Sequence, residues 1–211
     1  MKLGIDEMER IALPLVRRVG TMSVEEALSL RRSVREYAAG PITLEEVAQL
    51  LWAAQGITDP VGLRTTPSGG ALYPLEIYLA AGEVIGLLPG IYRYRPRHNE
   101  LEQVMADDRR RALASAAMGQ RWVQKNAAVL AIVAAYERTT TKYGERGFRY
   151  VHLEAGHAAE NVYLQATALG LATVVVGAFE ERQLATFLGL PPHHKPIALM
   201  PVGRVLTPET V

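Results

Sequence analysis

The chain has no cysteine. Disulfides, thiolate zinc sites, cysteine-ligated iron–sulfur clusters, a cysteine nucleophile and a flavin–disulfide relay are thereby excluded. It also lacks a charge of one sign: 23 Lys plus Arg stand against 22 Asp plus Glu, a net charge of +1. A balance of this kind gives no global signal for nucleic acid or an anionic membrane. Long apolar runs are missing too. The longest, Ala127 to Tyr136, is too short to cross a bilayer. The segment 1–20 carries Asp6, Glu7, Glu9, Arg10, Arg17 and Arg18 and has no uninterrupted apolar core, so it does not read as a signal peptide. Together these absences lead us to expect a cytoplasmic protein with neither membrane nor nucleic acid as partner.

Histidine is sparse, and its spacing is wrong for a metal. His152 and His157 are five apart, so they do not share a helix face, and His193-His194 follow two prolines. No metal site is expected. Neither phosphate-loop fingerprint is present: no Gly-x-Gly-x-x-Gly follows a strand, and there is no Gly-x4-Gly-Lys-Ser/Thr.

What is present is enough apolar material for one domain. Of 211 residues, 49% are hydrophobic and 21% charged, which argues for a packed core rather than disorder. We divide the chain into an N-terminal extension, residues 1–20, and one domain, residues 21–211. Glu7 to Val19 reads as a short helix interrupted near Pro14. Ser23-Val-Glu-Glu26 and Thr43-Leu-Glu-Glu46 both have the capping-box form, so a helix should follow each. In the first, Val24, Ala27, Leu28 and Leu30 are expected to face inward. Gly56 to Leu72 reads as a loop. Strands are expected at Leu75–Ala81, Gly90–Arg95, Glu100–Met105, Ala127–Tyr136, Leu171–Phe179 and Ile197–Val205. Helices are expected at Asp107–Met118, Tyr150–Leu169 and Glu180–Leu188, with Glu137–Gly147 a polar loop. The order lacks a regular βαβ alternation, which favours α+β over a doubly wound parallel sheet.

Three segments carry candidate chemistry. Arg31-Arg32-Ser33-Val34-Arg35 packs three guanidinium groups and a hydroxyl into five residues. Such forks match phosphate oxygens, although cations at a helix C-terminus are also favoured by the macrodipole alone. Pro67-Ser68-Gly69-Gly70 joins two glycines to a hydroxyl, so a planar ligand can approach the backbone, as an ordinary surface loop would also allow. Val176-Gly177 and Gly203-Arg204 end two expected strands. They can face a common ligand, or simply be solvated strand ends.

Taken in order, these segments resemble the FMN-dependent nitroreductase superfamily. The carriers are Arg31 to Arg35, Pro67 to Pro74, Gly170-Leu171 with Val176 to Phe179, and Pro201-Val-Gly-Arg204. Gly90 to Tyr94, Lys142 to Tyr150 and Glu154 to His157 are similar to its SagB-type dehydrogenase branch. The likeness spans Met22 to Val205. It implies an α+β sandwich with a mixed, largely antiparallel sheet flanked by helices, working as an intertwined homodimer with two FMN at the interface. It implies that Arg31, Arg32 and Arg35, with Ser33, hold the phosphate and ribityl end, and that Arg204 reaches the phosphate. It further implies that Pro67, Ser68, Gly69 and Gly70 border the isoalloxazine, with Val176 and Gly177 on another edge and Gln120 nearby. The phosphate needs such cations, because it carries close to two negative charges near neutral pH.

The implied activity is an oxidoreductase cycle. NAD(P)H reduces FMN, and the reduced flavin passes its electrons to a small organic acceptor of the nitro or quinone type. Azoline-oxidising members of the SagB-type branch carry a Lys-Tyr pair where this chain has Lys142-Tyr143. That pair gives a second reading, a dehydrogenase using them for proton removal; a solvated loop accounts for them equally. A third reading is a non-enzymatic flavin-binding protein, motivated by Gly70, where many relatives carry Ala or Ser.

Overall fold

A computed structural model describes residues 9–206. Of the expected N-terminal extension, residues 1–8 lie outside the described residues, as do 207–211 at the other end.

The apolar run that opens the core is strand β7, Ala128–Ala135, every residue of which is buried. A strand covered on both faces needs no polar alternation, which is why the run reads as continuous. Around it stand β1 (Arg10–Ala12), β3 (Leu75–Ala81), β5 (Gly90–Arg95), β6 (Glu100–Ala106), β8 (Leu171–Thr173) and β9 (His194–Arg204). They form a seven-stranded sheet in the order β1-β6-β5-β3-β7-β9-β8. Every pairing in it is antiparallel. The parallel component of the fold is the small pair β2 (Ile42–Thr43) with β4 (Val84–Ile85).

Side chains of period two divide this sheet into two cores. One face holds Ile77, Leu79, Tyr92, Leu130 and Ile132 against α2 (Leu44–Gln55) and α5 (Arg146–Ala168). The other holds Tyr78, Ala80, Ile91, Val129 and Val133 against α3 (Arg110–Ala116) and α6 (Glu181–Phe187). The result is an α+β sandwich, as the element order suggested. Val151, Ala155, Ala158 and Val162 form the buried stripe of α5, which fits the period of an amphipathic helix.

Five local expectations change. The strand expected over Leu171–Phe179 stops at Thr173, and Val176 makes only an isolated bridge to Leu199, so Val176-Gly177 do not end a strand. The segment expected as a helix over Glu7 to Val19 instead supplies the edge strand β1, because its backbone pairs with β6 from Arg10 to Ala12. Glu137 to Tyr143 is a helix, α4, rather than loop. Its Thr139, Thr140 and Thr141 are poor helix formers and hide the pattern. Helix α4 packs so closely on α5 that a Cβ at Gly147 would lie 2.8 Å from the Thr140 Cα. Helix α5 accordingly begins at Arg146, four residues before the expected start. In α1 (Val24–Leu30) only Ala27 is buried. Val24, Leu28 and Leu30 face solvent at 64%, 53% and 53% exposure, not inward as expected.

Both helix starts behave as their sequences predict. Ser23 Oγ accepts the Glu26 N–H at 3.1 Å. Thr43 and Glu46 form the complete reciprocal box.

Candidate functional site

The candidate residues fall into two groups, separated along α5. The first surrounds the end of α1. Arg31 is the C-cap and has extended backbone angles, so the helix stops there and Arg31 and Arg35 do not share a helical face. The chain then runs beside the 173–176 segment, with the Val34 N–H donating to the Thr173 carbonyl at 2.9 Å. The Arg31 guanidinium lies 5.1 Å above the Tyr163 ring, and its Nε is 3.8 Å from Glu160. Arg35 lies 5.8 Å from the Trp122 ring and borders a cavity of about 490 Å³ shared with Arg121 and Lys125. Arg32 behaves differently: its guanidinium donates back to the carbonyls of Ser29 (2.9 Å) and Arg31 (2.7 Å), closing the helix end.

Tyr163 organises this group, and sequence reading did not single it out. Its hydroxyl accepts the Val175 N–H at 2.8 Å and bonds Ser33 Oγ at 2.9 Å. One phenol therefore ties the arginine segment to the 174–177 segment. That segment is pinned from its other side by reciprocal bonds between Val176 and Leu199. The Val176 side chain is buried, while Gly177 is exposed with open space where a Cβ would stand. Gln120 joins them by donating to the Ala117 carbonyl at 2.8 Å and the Ala178 carbonyl at 3.0 Å.

The second group is the 67–70 loop. Its root is fixed by Thr66, fully buried, whose Oγ1 donates to the Ala54 carbonyl at 2.7 Å. Asn161 Nδ2 donates to Ala53, Thr65 and Thr66 oxygens at 3.1, 3.3 and 3.1 Å. Beyond that root the loop is exposed at Pro67, Gly69 and Gly70. Gly70 has φ +69°, and a Cβ there would lie 2.6 Å from the Tyr143 hydroxyl and 3.1 Å from Lys142 Nζ. Lys142 and Tyr143 thus stand directly over the glycine loop. Ala71 and Tyr73 also have positive φ, at 53° and 46°, a conformation non-glycine residues seldom take outside functional or strongly braced segments. Ser68 Oγ accepts the Tyr73 N–H at 2.9 Å and closes the turn.

Beneath this loop sits Glu154, 2% exposed, with one carboxyl oxygen lacking a hydrogen-bond partner. Burial pushes its carboxyl up to about 7, against the opposing pull of Ser68, Arg64 and Gln55. The sequence held no sign of this, since Glu154 looks like any polar residue on a helix.

The Arg204 backbone runs beside the arginine segment, its carbonyl accepting the Ala38 N–H at 3.0 Å, but its side chain is engaged elsewhere. It makes a bidentate pair with Glu46 at 2.6 and 2.9 Å and donates to the Pro41 carbonyl at 3.0 Å. Glu46 therefore serves the α2 cap and Arg204 together, and a phosphate contact by Arg204 would have to share or displace that pair.

The two groups are far apart in one chain. Tyr150 packs under Gly69, with 3.6 Å from its Cβ to a Cβ built there, whereas Tyr163 holds the arginine segment. Thirteen residues of helix separate them, about 20 Å at 1.5 Å per residue.

A sequence model described as "Nitroreductase family" matches residues 28–204. The chain belongs to the nitroreductase family. Its relatives include a provisionally named nitroreductase of Methanocaldococcus jannaschii, 47% identical over 199 residues, covering 94% of this chain and 98% of that one. The trifolitoxin-processing protein TfxB of Rhizobium leguminosarum is 31% identical over 143 residues, covering 62% of this chain and 38% of that one. Among solved structures, a provisionally named nitroreductase from Ralstonia eutropha superposes with TM-score 0.82 at 32% identity, covering 97% and 93% of the two chains. Family and fold agree with the resemblance drawn from the motifs. Among the described residues there is no cluster of metal-ligating side chains and no helix long and apolar enough to cross a membrane.

Proposed function

We propose that this nitroreductase-family oxidoreductase is FMN-dependent and works as a homodimer, NAD(P)H reducing the bound FMN and a small nitro- or quinone-type acceptor reoxidising it. The observation that carries this reading is the division of the site. An arginine-lined group at one end of α5 and an open glycine loop at the other are each incomplete, and a second copy would bring one to the other. The exposed apolar face of α1, Val24, Leu28 and Leu30, with Leu153 of α5 at 54% exposure, is a surface for that copy.

The donor set suits FMN. Arg31 and Arg35 are cations stacked on aromatic rings, and they are free of bidentate carboxylate partners among the described residues. They can fork onto phosphate oxygens, with Ser33 held in place by Tyr163. Gly69 and Gly70 carry no side chain, so a flat ring can approach their backbone on the face away from Tyr143 and Lys142, which fill the space where a Gly70 Cβ would stand. When bound, the flavin supplies the hydride chemistry, so no protein nucleophile is needed. The chain's own part is to orient the ring, to offer the Gln120 and 174–177 edge to it, and to hold protons near the acceptor through Lys142 and Tyr143.

A second reading is favoured by one observation: Lys142 Nζ and the Tyr143 hydroxyl both crowd the space over Gly70. In that reading the chain is a SagB-type dehydrogenase: these groups take a proton from an azoline-like substrate as its hydride passes to bound FMN, with oxygen reoxidising the flavin. The similarity to TfxB supports it, although this chain spans only 38% of that protein.

The test is the visible spectrum of freshly purified, untagged protein, with acid release of any pigment and NAD(P)H oxidation with and without a nitroaromatic acceptor. FMN at one per chain with acceptor-dependent oxidation is expected. Colourless protein that stays inert after FMN is added overturns the proposal. Lys142→Ala and Tyr143→Phe test the second reading: retention of full activity in both variants removes its main support.

A further inference from the structure

A second concentration of positive charge lies apart from the Arg31–Arg35 group. A cavity of about 470 Å³ opens between the 57–73 loop and the turn joining β5 to β6. Arg64, Arg93, Arg95, Arg97 and Arg138 line it, together with His98. They arrive from the loop, from β5, from its turn and from α4, so no run in the sequence announces them.

The carboxylates facing them are too few. Glu76 is 8% exposed and takes Arg93 Nε at 3.1 Å and Arg138 at 2.5 Å. Burial opposes its ionisation, but the Arg93 hydrogen bond and charge, then those of Arg138, hold its carboxyl below the usual range. Glu102 takes Arg95 at 3.4 Å. Glu154 lies near enough to act on Arg64, but burial pushes its carboxyl up to about 7, so two ion-paired carboxylates stand against five guanidinium groups. Arg97 has no ion pair among the described residues, and Arg64 Nε is buried without a hydrogen-bond partner. Arg64 instead spends NH1 on Gln55 at 2.8 Å and stacks 4.5 Å above the Tyr73 ring.

Arginine does not shed its proton to relieve such crowding. An excess of like charge in a half-enclosed cleft focuses the field and draws anions in. The planar forks match phosphate oxygens, and the Tyr73 ring offers an apolar wall beside them. A single monovalent ion would offset only part of the excess. The volume falls within the range of small-molecule sites.

We propose that this cavity binds a small phosphorylated molecule carrying at least two negative charges, at a place separate from the Arg31–Arg35 group. The 68–73 turn connects it to the candidate redox site: Gly69 and Gly70 face Tyr150, Tyr143 and Lys142, whereas Ala71 and Tyr73 line the cavity. The phosphate therefore has two possible sources, the phosphates of a dinucleotide reductant or a separate phosphorylated ligand.

The experiment is titration calorimetry of the full chain with inorganic pyrophosphate and with 2′,5′-ADP, in the presence of saturating FMN. Arg97→Ala combined with Arg138→Gln removes cavity charge from an exposed turn and a helix surface. Arg182→Ala, an exposed arginine on α6, removes the same kind of charge elsewhere. Binding of one of the two probes near one per chain is expected. Loss of two charge-assisted contacts should weaken it about tenfold or more in the double variant, with no change in Arg182→Ala and weaker binding at high salt. A raised KM for NADPH with kcat unchanged in the double variant identifies the reductant as the source; an unchanged KM identifies a separate ligand. No binding of either probe at about millimolar concentration in low salt, or equal weakening in all variants, overturns the proposal. The cavity reading survives a failure of the flavin proposal, because pyrophosphate binding is read without turnover.

Discussion

Replacing Glu154 with Gln should abolish a pH dependence of stability. The carboxyl is buried beneath the Ser68 turn, and burial raises it to about 7 from an ordinary 4.5. The folded state therefore holds the proton more tightly than the unfolded chain. Its contribution is fully present below about pH 4.5 and is lost as pH rises through about 7. A shift of this size corresponds to about 3 kcal/mol at most, at 1.36 kcal/mol per unit. For a domain of this length that is roughly 6–12 °C in Tm. Glu154→Gln keeps the shape and cannot ionise. Thermal melts of both proteins from pH 5 to 8 should diverge, the wild type falling below the variant as pH rises. Subtracting one curve from the other cancels the contribution of every other group, since the two proteins share them all. Parallel curves would refute the reasoning and mean that Glu154 ionises without penalty, through water or the donors beside it.

Other outcomes follow from the same geometry. Gly70→Ala forces a Cβ into the left-handed region and to 2.6 Å from the Tyr143 hydroxyl; thermal shift should report a loss of about 1–2 kcal/mol, and an unchanged Tm would mean the loop relaxes freely. Arg204→Ala should lower the unfolding free energy measured by urea melts by about 1–3 kcal/mol, because it strips a bidentate partner from Glu46. Arg31→Ala and Arg35→Ala should do the reverse, leaving the urea midpoint unchanged while weakening FMN about 10- to 100-fold each; a larger FMN loss in Arg204→Ala would restore that residue to the phosphate. Leu28→Glu puts a charge on the exposed face of α1, and sedimentation should then show a monomer with poor flavin uptake where the wild type is a dimer. A wild-type monomer at micromolar concentration would remove the shared-site argument.

Much of the architecture was legible because it depends on local periodicity. The continuous apolar run of β7 and the buried stripe of α5 follow from which faces are covered. The cap at Thr43 and Glu46 is a contact over three residues, and it formed as written. The threonines of α4 concealed a helix that packing against Gly147 stabilises. The apolar residues of α1 fitted an inward face, yet they lie on the surface, because periodicity reports that a face is apolar and not what covers it.

The candidate site divides in the same way. Residue chemistry by itself marked the arginine segment and the glycine loop, since unusual composition within a few residues is a local property; the Lys142-Tyr143 pair was marked by the family resemblance. The absence of cysteine likewise determined which chemistries this chain cannot perform. Tertiary structure decided which of those residues are available. It turned Arg32 back onto its own helix and engaged Arg204 with Glu46. It made Tyr163 the link between two segments and gave Glu154 a raised pKa through burial alone. It also gathered five arginines from separate elements into one cavity. Apart from the Arg32 contact, which is local, each of these depends on contacts across long stretches of chain and on the local dielectric, and neither is encoded in the spacing of residues along the sequence.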